Sequence, residues 1–177
     1  MFFKILLPKI LSDEVLFRVY PHQGKQDLEK ALKKTVPSIS KMPGAKILIT
    51  RDKDSADCIE VKEKINTIIA GKCHCDYFMR IICKELESWF LGDLTAIQLA
   101  YPRFKPVDYS NKADCTNVDK ITQPNNYLLK IIEAYSDRET LPKLEVSETV
   151  APLLNLETNK SASFTQTIAA IKKLADS

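Results

Sequence analysis

The 177-residue sequence lacks an apolar run of membrane-spanning length, and its apolar first residues are too short and too interrupted for a secretion signal. It also lacks internal repeats and low-complexity tracts. The net charge of +3 is too small to indicate nucleic-acid binding by itself, although it does not oppose an anionic substrate. Five cysteines, an odd number, do not indicate a secreted disulfide framework. We therefore expect a cytoplasmic protein with free thiols that does not act at a membrane.

The first hundred residues alternate between helical and strand patterns, in a composition that is ordinary for a globular protein. Apolar residues at helical spacing predict helices, and short apolar or β-branched runs predict strands. This order predicts an α/β fold, in which a mainly parallel sheet has right-handed crossovers and helices on both faces. The predicted elements are helices at 2–11, 27–34, 57–69, 84–91 and 94–100 and strands at 15–20, 46–51 and 77–83.

The pattern changes after Pro102, where a polar, irregular stretch precedes segments with helical spacing only. The helical segments begin near residues 123, 146 and 164. We therefore predict an α/β core at 1–101 and a mostly helical C-terminal extension at 102–177, packed together as a single compact unit.

The carboxylates of Asp52 and Asp54 follow directly after the predicted apolar strand at 46–51. In α/β folds the carboxyl ends of the strands open onto the ligand crevice. Residues two apart in an extended backbone point to the same side, so both side chains are placed to hold Mg²⁺. The alternative is that they only cap a helix or stabilise a turn, which is the role we expect for Asp57.

A second acidic pair, Glu85 and Glu87, follows the predicted strand at 77–83 and reaches the same crevice. Either residue is a candidate general base or metal ligand, or simply an acid at a solvated helix start. If 84–91 is helical, the two side chains lie roughly 200° apart around the axis. We therefore expect one of them, but not both, to face the site.

Basic and hydroxyl groups complete the candidate site. His22 and Lys25 flank a glycine in the loop after the first predicted strand, where they are placed to contact phosphate, although an ordinary loop has the same composition. Arg51 and Ser163 are further candidate substrate contacts, while Ser163 or the nearby Ser161 also fits a helix N-cap. Cys73 and Cys75 have poor spacing for zinc.

Four segments, in this order along the chain, resemble the bacterial domain of unknown function 4276 family, which is Toprim-like. The resemblance covers nearly the whole chain. The segments are Pro21 to Leu28, Arg51 to Cys58, Lys84 to Asp93 and Ser161 to Phe164.

The resemblance implies a compact parallel sheet and magnesium-dependent cleavage or joining of phosphodiesters in nucleic acid. It implies that Asp52 and Asp54 bind Mg²⁺ and that Glu85 or Glu87 assists. Toprim domains also occur in nucleases that accompany ATPases in phage defence. A non-catalytic interaction module, accessory to such an ATPase, is therefore the alternative function.

One part of the Toprim pattern has no match, namely a Glu that follows a first strand. The chain begins at Met1-Phe2-Phe3, inside the helix that should follow this Glu, and Glu14 lies too late to replace it. Three explanations compete, namely an upstream start codon, a degenerate chain, and a partner or second copy that supplies the strand. We favour an upstream start. An unpaired sheet edge would also favour a homodimer.

Overall fold

The chain begins with a short helix that buries two apolar side chains. The computed structural model describes residues 1–53, 57–110 and 117–177, with Ser110 described by its backbone alone. Helix α1 (Phe2–Leu6) continues into a 3₁₀ turn at Leu7–Lys9, which confirms the predicted helix at 2–11 apart from its last residues. Phe2 and Leu6 lie one turn apart and are both buried, so the amphipathic spacing directs this helix into the core.

Helix α2 (Gly24–Ile39) is longer than the predicted helix at 27–34. Leu28, Leu32 and Val36 recur every four residues and form its buried stripe. The helix continues through Pro37, which has no backbone N–H to donate. The Ser40 N–H donates to the Val36 carbonyl at 2.9 Å and closes the last turn.

Two parallel strands, β1 (Ile47–Asp52) and β2 (Tyr77–Ile82), form the sheet in the described part of the chain. Both strands were predicted from their short apolar runs. The register pairs Ile47 with Tyr77 and Asp52 with Ile82. The carboxyl ends of the strands are therefore level, and the Lys53 N–H extends the ladder by donating to the Ile82 carbonyl at 2.8 Å.

Helix α3 (Cys58–Ile69) is the crossover between the strands, and Asp57 caps it as predicted. The Asp57 carboxylate accepts the Ile59 N–H at 2.7 Å. The α2 and α3 stripes form one apolar cluster with the first face of the sheet. The members of this cluster from α3 and the sheet are Val61, Ile65, Ile69, Ile49, Met79 and Ile81.

The predicted strand at 15–20 is absent. Residues 15–20 form no regular element, and Leu16 is 96 % exposed. Its β-branched and aromatic composition suits a pleated, half-buried surface, but a strand forms only where a partner strand completes the ladder. No described backbone group pairs with this segment as a strand, so it crosses the surface as an irregular connection.

Helices account for most of the regular structure after β2. Asp93 caps α5 as predicted, and Ser161 caps α9 by accepting the Phe164 N–H at 3.1 Å. Short 3₁₀ turns lie between several of these helices. The helices are α4 (Glu87–Leu91), α5 (Leu94–Ala100), α6 (Val107–Ser110), α7 (Pro124–Ile131), α8 (Lys143–Val150) and α9 (Ala162–Asp176).

The second apolar cluster is larger and is centred on Trp89, Phe90 and Phe164, which are fully buried. It joins α1 to the helices after β2. Helix α9 covers the second face of the sheet, where the Lys173 ammonium lies 5.4 Å from the Phe78 ring centre. The mixed α/β class, the parallel sheet and the C-terminal helices are confirmed, while a Toprim-like topology stays a prediction.

None of the helices in the described ranges combines the length and the apolar composition that a membrane span requires.

Candidate functional site

A pocket of about 400 Å³ lies at the carboxyl edge of the sheet. Four predicted site residues line it, namely His22, Lys25, Arg51 and Asp52. They come from the loop before α2, from α2 itself and from the end of β1. The prediction that these groups meet rested on the rule that ligands bind where parallel strands end. The tertiary structure brings the four side chains to one cavity.

Helix α2 begins at the mouth of this pocket. Gly24, its first residue, has a φ of +82°, a conformation that side chains with a Cβ rarely adopt. Asp27 stabilises this turn, because its carboxylate accepts the Gln23 N–H at 2.9 Å. The same carboxylate lies 3.5 Å from His22 Nδ1. Asp27 thus fixes the loop that presents His22 and Lys25 to the pocket.

Arg51 has the most unusual environment in the pocket. Its side chain is only 8 % exposed, and Nη1 lies 3.3 Å from Glu29 Oε1 on α2. The buried Nε atom has no hydrogen-bond partner in the described ranges. An unpaired buried donor costs about 1–3 kcal/mol, and more when it is charged. Arg51 is therefore a fixed, largely buried cation in the lining of the pocket.

Positive charge prevails among the described groups of the pocket. Lys25 and Arg51 are cationic, whereas Asp52 is the only carboxylate among the described lining residues. Asp54, the other predicted metal ligand, lies outside the described residues, as does Ser55. Within the described ranges, no group of three or more His, Cys, Asp or Glu side chains is arranged to hold a metal ion. The described groups suit an anion.

Glu85 and Glu87 both contact a cation that sequence reasoning missed. Lys143 Nζ lies 3.4 Å from Glu85 Oε2 and 3.0 Å from Glu87 Oε1. The expected 200° separation does not apply, since α4 begins only at Glu87 and Lys84 before it has a φ of +63°. Leu86, between the two acids, lines the carboxyl-edge pocket. The acids therefore lie beside this pocket, and both pair with Lys143, whose single positive charge offsets one of the two carboxylates.

The two acids also determine the charge state of Lys143. Burial by itself would lower the pKa of the Lys143 ammonium, but the charges and hydrogen bonds of Glu87 and Glu85 outweigh it and raise this pKa above its ordinary value. Glu87 is only 7 % exposed, and Lys143 is its ion-pair partner. No sequence signal links Lys143 to the acids, because they are more than fifty residues apart.

Ser163 does not join the carboxyl-edge pocket. It is 6 % exposed and lines a separate pocket of about 220 Å³ with Cys58, Cys83 and Asp119. Its Oγ accepts the indole N–H of Trp89 at 2.8 Å, and its N–H donates to Asp119 Oδ2 at 3.0 Å. Through these contacts Ser163 attaches the first turn of α9 to the core.

The motif around Trp89 and the motif around Ser161 are in contact. Asn159 Nδ2 donates to the Trp89 carbonyl at 2.8 Å, and Asn159 Oδ1 accepts the Ser161 N–H at 2.9 Å. A Cβ at Gly92 would run into the Asn159 side chain. Asp119 completes this network by accepting the Ser161 hydroxyl at 2.7 Å. Sequence reasoning missed Asp119 and Asn159, since each lies in an irregular segment with no periodic pattern.

The described cysteines are free thiols, as predicted, and Cys115 lies outside the described residues. Cys73 and Cys75 bring their sulfur atoms to 3.9 Å. Burial, together with the neighbouring Cys73, raises the pKa of Cys75 to about 11. This thiol is therefore protonated and weakly nucleophilic at neutral pH.

The candidate site is the carboxyl-edge pocket, and Arg51 is one of the residues that line it. Among known proteins, no family model matches this chain, and neither a curated protein nor a solved structure is significantly similar to it.

Proposed function

We propose that this protein binds a phosphate ester of nucleic acid in the carboxyl-edge pocket and that Mg²⁺ supports phosphodiester cleavage there. The observation that carries the proposal is the convergence of His22, Lys25 and Arg51 beside Asp52 at the end of β1. Phosphate oxygens are strong acceptors, and a guanidinium binds them through several N–H groups at once. Arg51 lines the pocket and has an unpaired Nε, so its guanidinium has a donor that a phosphate oxygen could satisfy if the side chain turned towards it.

In this proposal Mg²⁺ is held by Asp52 with Asp54. Magnesium in such sites keeps several waters and is held by one or two carboxylates and a substrate phosphate. It would orient the phosphate and lower the pKa of a bound water. Glu85 and Glu87 have no part in the proposed reaction, because both pair with Lys143 and neither is among the described residues that line the pocket.

The binding step can be tested with a short 5′-phosphorylated single-stranded DNA in the absence of metal. We expect Lys25→Ala to weaken binding and to reduce the slope of log K against log salt by about one, the effect of losing one phosphate contact. Lys30→Ala is the matched control, because Lys30 lies on the same helix, is exposed and does not line the pocket. Equal binding by wild type and Lys25→Ala would contradict the proposal.

Arg51→Lys tests the donor geometry. This variant keeps the positive charge but loses the planar group and its Nε donor. We expect weaker DNA binding, with the melting temperature recorded to confirm folding. Unchanged affinity in a folded variant would show that the Nε of Arg51 does not contact phosphate.

The alternative function is a non-catalytic interaction module, accessory to an ATPase in phage defence. The observation that favours it is that Glu85 and Glu87 are tied to Lys143, which leaves Asp52 as the only carboxylate in the described lining of the pocket. Co-purification from the native host separates the two candidates. Capture of an ATPase, together with DNA binding without magnesium-dependent cleavage, would favour the module.

A further inference from the structure

The carboxyl-edge pocket has an apolar wall that a bare phosphate would not use. Phe2, Phe3 and Tyr20 line it together with the basic groups. Phe2 is held in place in this wall, because its ring centre lies 5.4 Å from that of Trp89 and 5.5 Å from that of Phe3. Tyr20 is 46 % exposed and extends the wall towards solvent. An anion with an apolar group attached would use both parts of the pocket.

The dimensions of the pocket limit the size of this apolar group. A volume of about 400 Å³ falls within the range of small-molecule pockets, roughly 300–1,000 Å³. This is enough for one base, one sugar and one phosphate, but not for a duplex. The aromatic wall favours a planar group, because bases stack on aromatic side chains without regard to sequence.

The basic side chains that line the pocket are the expected contacts of the phosphate. Arg51 is fixed by Glu29, is 8 % exposed and has an unpaired Nε. His22 and Lys25, just before and in the first turn of α2, also line the pocket. Tyr20 and His22 are two residues apart in one connection, so the same loop presents both an aromatic and a basic contact.

We propose that the pocket accommodates a single nucleotide unit, with its phosphate at Arg51 and its base against Tyr20. This inference rests on the proposed function and narrows its ligand to a mononucleotide or an unpaired strand end. Tyr20 is then a specificity-determining residue, although it lies in a segment whose composition predicted a strand.

Three probes test the inference by calorimetry, namely a nucleoside 5′-monophosphate, ribose 5-phosphate and inorganic phosphate. We expect the monophosphate to bind at least about fivefold more tightly than ribose 5-phosphate, the lower limit of one stacked base. Equal affinity for these two probes would overturn the inference while leaving phosphate binding intact. Failure of all three probes, and of the 5′-phosphorylated DNA, would reject the proposed function as well.

Variants of two exposed aromatic residues supply the matched comparison. We expect Tyr20→Ala to lower affinity for the monophosphate at least about fivefold and to leave ribose 5-phosphate unchanged, whereas Tyr20→Phe retains tight binding. Phe17→Ala is the control, because Phe17 is 42 % exposed in the same segment and does not line the pocket. An equal loss in Phe17→Ala and Tyr20→Ala would overturn the assignment of Tyr20.

Oligonucleotides distinguish the two sources of the nucleotide unit. Tight binding of a 5′-phosphorylated single strand supports recognition of a strand end, and tight binding of the mononucleotide alone supports a free nucleotide. A blunt duplex that binds as tightly as the single strand would overturn the inference, because its paired terminal base cannot enter the pocket.

Discussion

The indole N–H of Trp89 donates a 2.8 Å hydrogen bond to the hydroxyl of Ser163, 74 residues further along the chain. Both groups are buried, and the Trp89 ring also packs edge-on against the Phe164 ring at 5.3 Å. Two segments that lie far apart along the chain therefore meet in the core. The hydrogen bond and the ring packing account for Trp89, Ser163 and Phe164 at these positions as structural residues, with no part in a reaction.

Ser163→Ala should destabilise the protein by about 1–3 kcal/mol. The substitution leaves the Trp89 N–H buried without this acceptor and removes one partner of Asp119. Urea unfolding followed by tryptophan fluorescence measures the change, since Trp89 is the only tryptophan in the sequence. Ser38→Ala is the control, because Ser38 bonds only within its own helix at an exposed position. Equal stability of the two variants would show that the buried bond contributes little.

Gly92→Ala should destabilise the protein by about 1–3 kcal/mol through overpacking. Gly92 has an ordinary helical φ of −67°, so its backbone conformation does not require glycine. The added methyl group would collide with the Asn159 side chain and would approach Ser161 N at 3.0 Å. A double-mutant cycle with Asn159→Ala tests this reason. We expect the combined loss of stability to be smaller than the sum of the single losses, and additive losses would contradict the collision.

Lys143→Met should destabilise the protein by about 1–3 kcal/mol at neutral pH, because Glu87 is left buried without its cation. The pKa of Lys143 is raised above 10.5. The contribution of its charge is therefore fully present below pH 10.5 and is lost as the pH rises through the folded-state pKa. Denaturant unfolding of wild type and variant should show a constant difference from pH 7 to pH 10, which then shrinks. A stability difference between wild type and variant that grows at high pH would contradict the expected direction.

Asp52→Asn should lower the apparent affinity for Mg²⁺ at least about tenfold, since even groups that only orient a metal ligand contribute that much. Magnesium-dependent cleavage of single-stranded DNA, titrated with Mg²⁺, measures the effect. Asp76→Asn is the control, because Asp76 is exposed at the opposite, amino edge of the sheet. If cleavage by wild type is independent of Mg²⁺, or if both variants behave alike, Asp52 does not hold the metal.

The sequence alone was sufficient for the elements whose signal is local. The four-residue apolar spacing of α2 and α3, the buried runs of β1 and β2, and the caps at Asp57, Asp93 and Ser161 each depend on neighbours within one or two turns. The position of Arg51 and Asp52 at the sheet edge was also predictable, because parallel strands bring their carboxyl ends to one edge. His22 and Lys25 reach the same pocket although the strand predicted before them is absent.

Only the tertiary structure decided the interactions that join distant segments. Residues 15–20 have strand composition but no partner strand among the described residues, and α2 continues through Pro37 to Ile39. The pairing of Lys143 with Glu85 and Glu87, and the burial of Ser163 beneath Trp89, depend on how α8 and α9 pack. Periodicity describes which face of an element is apolar, but the burial and pairing of a charged or polar side chain are determined by the elements that the fold packs against it.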